Sequence, residues 1–269
     1  MGFFSNRYTK EGPGVSKNEP EKKEFIKFFE QYFRNFWKLC TVNLLTILCS
    51  IPILTFGVAE TGLTYVARAT ARDRHTFVSS DFFDSVKKNW KQGLIVGIID
   101  LIISAVIIFD VIFAWPNATN TLGIIMLSLT LFVFIIFIFS KYYRYMMIVT
   151  FKMSVWKIYK NSMIFAFAGL LKNLVISLTL LACYALCFTL IWFTNAIGIT
   201  VSILLYICAF RAFRAYLIQF NVFPVIRKYI IDPYYTEHPD EDIERRKDLG
   251  IYIDEDEEID ADCSDELII

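Results

Sequence analysis

Four stretches of this chain, residues 93–114, 122–139, 173–193 and 197–218, are apolar over lengths that suit a bilayer better than a soluble core. A crossing needs about 20 such residues, within a range of roughly 17–25. The run 132–139 carries no polar side chain at all. Period-two alternation over ten-residue stretches is missing, which argues against a β-barrel. Only short turns, 115–121 and 194–196, separate the members of each pair, so two helical hairpins are expected. Composition agrees. The 269 residues are 56% hydrophobic and 20% charged, against about 45–50% and roughly 25% in ordinary soluble domains. A disordered chain, a collagen-like fibre and a soluble enzyme are excluded.

A fifth apolar stretch, 36–57, is interrupted at Pro52 and Gly57 and leads into 58–71, a helical pattern carrying Glu60 and Arg68. Basic loops stay cytoplasmic, and the two hairpin turns contain no Lys or Arg, whereas every other connection is basic. Both ends of 36–71 then lie on the cytoplasmic side. The segment is expected to enter and return, as a re-entrant loop or as two short helices meeting near Pro52–Gly57. A five-span chain with its amino terminus outside is the alternative. No signal peptide is expected, since a charged stretch precedes the first apolar run. The reading is an all-α polytopic helical membrane protein of the bacterial cytoplasmic membrane, both termini inside. Residues 1–24 form a polar leader, 25–231 the membrane domain and 232–269 a tail. Phe25–Lys38 and Ser80–Lys91 read as amphipathic helices with aromatic and basic residues, a pattern suited to the membrane interface.

The zero net charge conceals a division: residues 232–269 hold 16 Asp and Glu against three Lys and Arg, and the rest of the chain has a surplus of 13 positive charges. The tail reads as a solvated, disordered strip or as a docking strip for a basic partner. The basic body is expected to meet anionic lipid headgroups. Nucleic acid is not an expected partner.

Ionisable groups inside spans are the strongest functional signals, each costing roughly 2.5–3.5 kcal/mol at a helix centre. At about 1.5 Å per residue, Asp100 lies ~13 Å beyond Lys91 and so near the midplane. Glu60 follows the Pro52–Gly57 break. Arg211 and Arg214 stand near the inner end of the last span, within reach of Asp100 or Glu60. One reading is a polar centre of Glu60, Asp100 and Asn43 that handles a proton, an ion or a hydroxylated ligand. The other is an Asp–Arg pair that fixes helix packing and never titrates. Asp110 is expected at the wet interface. The cysteines read as small apolar residues, with no metal site, cofactor or catalytic motif. A weak internal repeat of amphipathic helix, span, turn, span and basic exit is visible, with Arg144 and Arg214 at its two exits.

Met1-Gly2-Phe3-Phe4, Asn43-Leu44-Leu45 and the run Cys49-Ser50-Ile51-Pro52-Ile53-Leu54-Thr55-Phe56-Gly57, followed by Thr61, Tyr65 and Asp81-Phe82-Phe83, resemble the YesL-like family of bacterial integral membrane proteins. The resemblance extends to about residue 230 and is most specific at Pro52, Thr55 and Gly57. The leader and acidic tail depart from the family pattern. The resemblance brings no catalytic residues with it. It implies, through gene neighbourhood alone, a role near carbohydrate uptake, with carbohydrate-importer subunits as partners. A non-enzymatic accessory or permease-like component is therefore the expected function. A small proton-coupled secondary transporter using Asp100 is the alternative.

Overall fold

A computed structural model describes residues 23–237, with the backbone alone described at 193–195. Of the described residues 91% are helical and none is in a strand. In lipid this is the arrangement that satisfies backbone polar groups within each segment. The helices are α1 (Glu24–Arg34), α2 (Phe36–Cys49), α3 (Phe56–Ala71), α4 (Val78–Asn117), α5 (Thr121–Thr150), α6 (Val155–Ala168), α7 (Leu170–Trp192) and α8 (Ala196–Glu237). A 3-10 turn, Ile53–Thr55, precedes α3, and α8 contains π-helical turns at Tyr206–Phe210 and Arg227–Ile231. Four helices, α4, α5, α7 and α8, are long and apolar enough to cross a membrane.

The hairpins form as expected. Asn120 caps α5 by accepting from the Gly123 amide at 2.8 Å, and any Cβ on Gly123 would collide with the Asn117 carbonyl. The chain reverses between Trp192 and Ala196: Ser202 Oγ donates to the Cys187 carbonyl at 3.5 Å, and the Tyr184 and Phe210 rings lie 4.9 Å apart. Several boundaries differ from the sequence reading. The amphipathic stretch 80–91 and the span 93–114 are one continuous helix. The last helix runs through 232–237, where the acidic tail was expected to begin. The stretch Phe25–Lys38 is divided at Asn35, whose side chain donates back to the Gln31 carbonyl at 3.0 Å, a local bond that competes with helix continuation. Its aromatic face is partly internal: Phe28 and Tyr32 pack on Phe213 and Tyr216, while Phe25, Phe33 and Trp37 stay exposed. The leader to residue 22 and the tail from residue 238 lie outside the described residues.

The front segment is a pair of short helices. At about 1.5 Å per residue α2 and α3 are ~21 and ~24 Å long, short of the roughly 30 Å hydrocarbon core. An ion pair between Arg34 and Asp73 sets the start of α2 beside the end of α3, so the segment returns to the end from which it left. Pro52, in extended backbone, stops α2. Thr55 Oγ1 then donates to the carbonyls of Cys49 (2.6 Å) and Pro52 (2.8 Å), covering groups that hydrocarbon would leave unpaired. Gly57, which the sequence reading made part of the break, is not part of it. It lies inside α3, where an added Cβ would stand 2.2 Å from the Gly93 carbonyl oxygen and 2.5 Å from Gly97 Cα. Gly93 and Gly97 make a small-xxx-small pair on α4 that lets two backbones touch. Ser85 Oγ also donates to the Thr61 carbonyl at 3.2 Å. Packed in this way, α3 is buried along nearly its whole length at the centre of the bundle.

Candidate functional site: a buried charge cluster below a cleft

Central α3 brings Glu60 inward at 4% exposure. Its Oε1 accepts from Arg211 Nη2 at 2.8 Å and from Arg214 Nη2 at 2.7 Å, both on α8. Arg211 also donates to Ser50 Oγ at 3.1 Å and lies over the Phe56 ring at 5.0 Å. This joins the break after α2 to the last helix. Of the two carboxylates open to these arginines in the sequence reading, Glu60 is the one they meet.

Asp100, at 3% exposure, finds a different partner. Arg144 Nη2 of α5 lies 3.0 Å from Asp100 Oδ1, out of line for a hydrogen bond. Tyr159 of α6 donates to Oδ1 at 2.8 Å and Tyr145 to Oδ2 at 3.4 Å. Arg144 is itself 1% exposed, donates to Ser140 Oγ at 2.9 Å and packs over the Phe137 and Tyr159 rings. Asp100 lies about 26 Å below the turn end of α4 at 1.5 Å per residue. It stands near the middle of this 40-residue helix. Asp110 is exposed near the turn end.

Asn43, fully buried on α2, serves the backbone of α8. Its amide donates to the carbonyls of Tyr206 (3.1 Å) and Ile207 (2.5 Å) and accepts from the Ala212 amide at 2.9 Å. A π-helical turn interrupts the usual backbone ladder, and Asn43 fills that gap. The expected centre of Glu60, Asp100 and Asn43 is thus three separate constellations: α8 completes those of Glu60 and Asn43 at different residues, and α5 and α6 complete that of Asp100.

Lys141, Arg144, Tyr145 and Tyr159 were not singled out from the sequence, where the first two counted only as a basic exit. The signal was their spacing. Lys141 and Arg144 at i, i+3 on α5 match Arg211 and Arg214 at i, i+3 on α8, and residues three apart share a helix face. Lys141 lies in the field of both Glu60 and Asp100. Its ammonium has no ion pair or hydrogen bond among the described residues and lies 5.6 Å from the Phe56 ring centroid. Four cations and two carboxylates leave this interior with a surplus of two positive charges.

Above the cluster, a cavity of about 650 Å³ opens between α5 and α7. Glu60, Lys141, Arg214 and Gln219 supply its polar side, while Phe134, Leu174 and Leu181 line its walls. Asp100, Asn43 and Arg211 lie outside its lining. Tyr142 and Ser177 hydroxyls, 2.9 Å apart, and Tyr143 with Asn173, 3.0 Å apart, tie the two hairpins together. A second concavity, about 930 Å³, occurs at the basic end; Arg68, Lys88, Lys91, Lys152, Tyr65 and Trp90 line it, with no carboxylate.

Fold and site together define a polytopic helical membrane protein with an ion-paired interior. A family model described as a protein of unknown function, DUF624, matches residues 39–111. The match spans most of α2, all of α3 and most of α4, and so includes Thr55, Gly57, Glu60 and Asp100 but not the arginines that pair with the carboxylates. No curated protein and no solved structure matches the chain.

Proposed function

We propose that this protein is a non-enzymatic, accessory or permease-like component of the bacterial cytoplasmic membrane, with both termini cytoplasmic, serving carbohydrate uptake. The observation that carries the non-enzymatic reading is the pairing of both buried carboxylates with arginines. Glu60 and Asp100 are built into helix packing, and neither is presented as a base or nucleophile. The tie to carbohydrate uptake and to importer subunits rests on the resemblance to the YesL-like family around Pro52, Thr55 and Gly57, which is analogy rather than chemistry. Contact with anionic headgroups is supported by Lys88, Lys91 and Lys152 beside the half-exposed Trp90. Such cations are worth about 1 kcal/mol each at an anionic surface.

The test is affinity isolation of tagged protein from native membranes in mild detergent, with the full chain and with residues 238–269 removed, read by quantitative mass spectrometry. Enrichment of sugar-importer subunits is expected, and its loss with the tail would make the tail the docking strip. Isolation of the protein alone would overturn the accessory reading. The alternative, a proton-coupled transporter, requires a carboxylate that gains and loses its proton, and the Arg144 partner of Asp100 weakens it. Proton-coupled uptake by the purified protein in liposomes, abolished in Asp100→Asn, would restore it.

A further inference from the structure

The cleft between α5 and α7 holds binding groups that the ion pairs beneath it leave unused. Lys141 is a half-buried cation with no ion pair or hydrogen bond among the described residues, on the polar side of an otherwise apolar cavity. Gln219, 3% exposed, lines the same cavity, and its Oε1 has no hydrogen-bond partner among the described residues. Buried polar atoms normally find partners, and one without calls for an explanation. The local surplus of two positive charges asks for an anion. The orphan acceptor asks for a donor on that anion.

The walls specify the rest of the ligand. Phe134, Leu174 and Leu181 are apolar, line the cavity and remain exposed on helices that cross the membrane, so the cleft opens sideways. A hydrated small anion gains nothing from such walls. An acyl chain packs on them as it would on neighbouring lipid tails, with no apolar surface turned to water. Ser177 lies about 8 Å beyond Lys172 along α7 at 1.5 Å per residue, and Lys172, exposed and paired with Glu24, marks the basic rim. The charged floor is therefore near the level of glycerol and phosphate groups in one leaflet.

We propose that this cleft binds one anionic glycerophospholipid with a hydroxylated headgroup. The phosphodiester lies against Lys141 and Arg214, a headgroup hydroxyl donates to Gln219 Oε1, and an acyl chain runs along α5 and α7. The proposal does not depend on a role in carbohydrate uptake.

The test is native mass spectrometry of the full-length protein, delipidated in detergent and titrated with phosphatidylglycerol or phosphatidylcholine of the same acyl composition. One phosphatidylglycerol per chain is expected to persist after phosphatidylcholine has dissociated. Lys141→Gln should weaken phosphatidylglycerol binding by about tenfold or more, the scale of a charge-assisted hydrogen bond, and should leave phosphatidylcholine unchanged. Leu181→Trp, which fills the wall and spares every charge, should weaken it as well, and it decides the matter if Lys141→Gln fails to fold. Equal retention of the two lipids would overturn the proposal, as would phosphatidylglycerol binding that both variants leave intact. Displacement by millimolar glycerol phosphate would also overturn it, by identifying a soluble anion as the ligand.

Discussion

Asp100 illustrates how much a single buried side chain depends on its partner. Taken alone in an apolar span it resembles a group that titrates; beside Arg144, Tyr145 and Tyr159 it is a packing element. Removing one member of a buried pair leaves an uncompensated charge and costs about 3–5 kcal/mol, whereas replacing both members is often neutral. Asp100→Asn is therefore expected to lower the melting temperature in detergent. Adding Arg144→Met to that variant should recover much of the loss. If Asp100→Asn unfolds at the temperature of the unmodified protein, the pair is not structural. Among the candidate residues, the contact of Glu60 with Arg211 and Arg214 was open to inspection, because the arginines share one face of α8. The Asp100–Arg144 pair was not, because it depends on the register between two helices 40 and 30 residues long.

At the scale of elements, the run from Pro52 to Gly57 divides its work among three residues. Pro52 ends α2, Thr55 covers the carbonyls that the break exposes, and Gly57 allows α3 to touch α4. Lipid tails are as apolar as leucine, so helices in a membrane hold together by close packing more than by the hydrophobic effect. Gly57→Ala places a methyl group 2.2 Å from the Gly93 carbonyl oxygen, which the two backbones accommodate only by moving apart. A loss of about 1–3 kcal/mol is expected from such overpacking, read as reduced thermal stability with some rearrangement of the Glu60 cluster. An unchanged melting curve would contradict the close approach. The glycines at 93 and 97 were not singled out from the sequence, although their spacing is that of a small-xxx-small pair. That their partner is Gly57, rather than another copy of α4, required the fold.

For the whole molecule, the returning front pair makes a prediction about sidedness. In a background without native cysteines, Lys23→Cys and Asp73→Cys should react with a membrane-impermeant thiol reagent from one side. Ala118→Cys, in the turn between α4 and α5, should react from the other. A single crossing by residues 36–71 would instead separate Lys23→Cys from Asp73→Cys. The two hairpins, α4–α5 and α7–α8, are joined through Tyr142, Tyr143, Asn173 and Ser177, with the cleft beside these contacts.

The sequence by itself determined the helical class, the four helices long and apolar enough to cross a membrane and both hairpins, because apolar length and the period of the side chains are local properties that the bilayer selects directly. It also located the interruption at Pro52, for the equally local reason that proline lacks an amide donor. Which cation meets which carboxylate, that Asn43 serves a π-helical turn rather than a ligand, and that Lys141 and Gln219 face an open cleft were decided by tertiary structure. Those outcomes depend on the rotation and register of helices far apart in the chain, where one residue of slip turns a side chain about 100° around its helix.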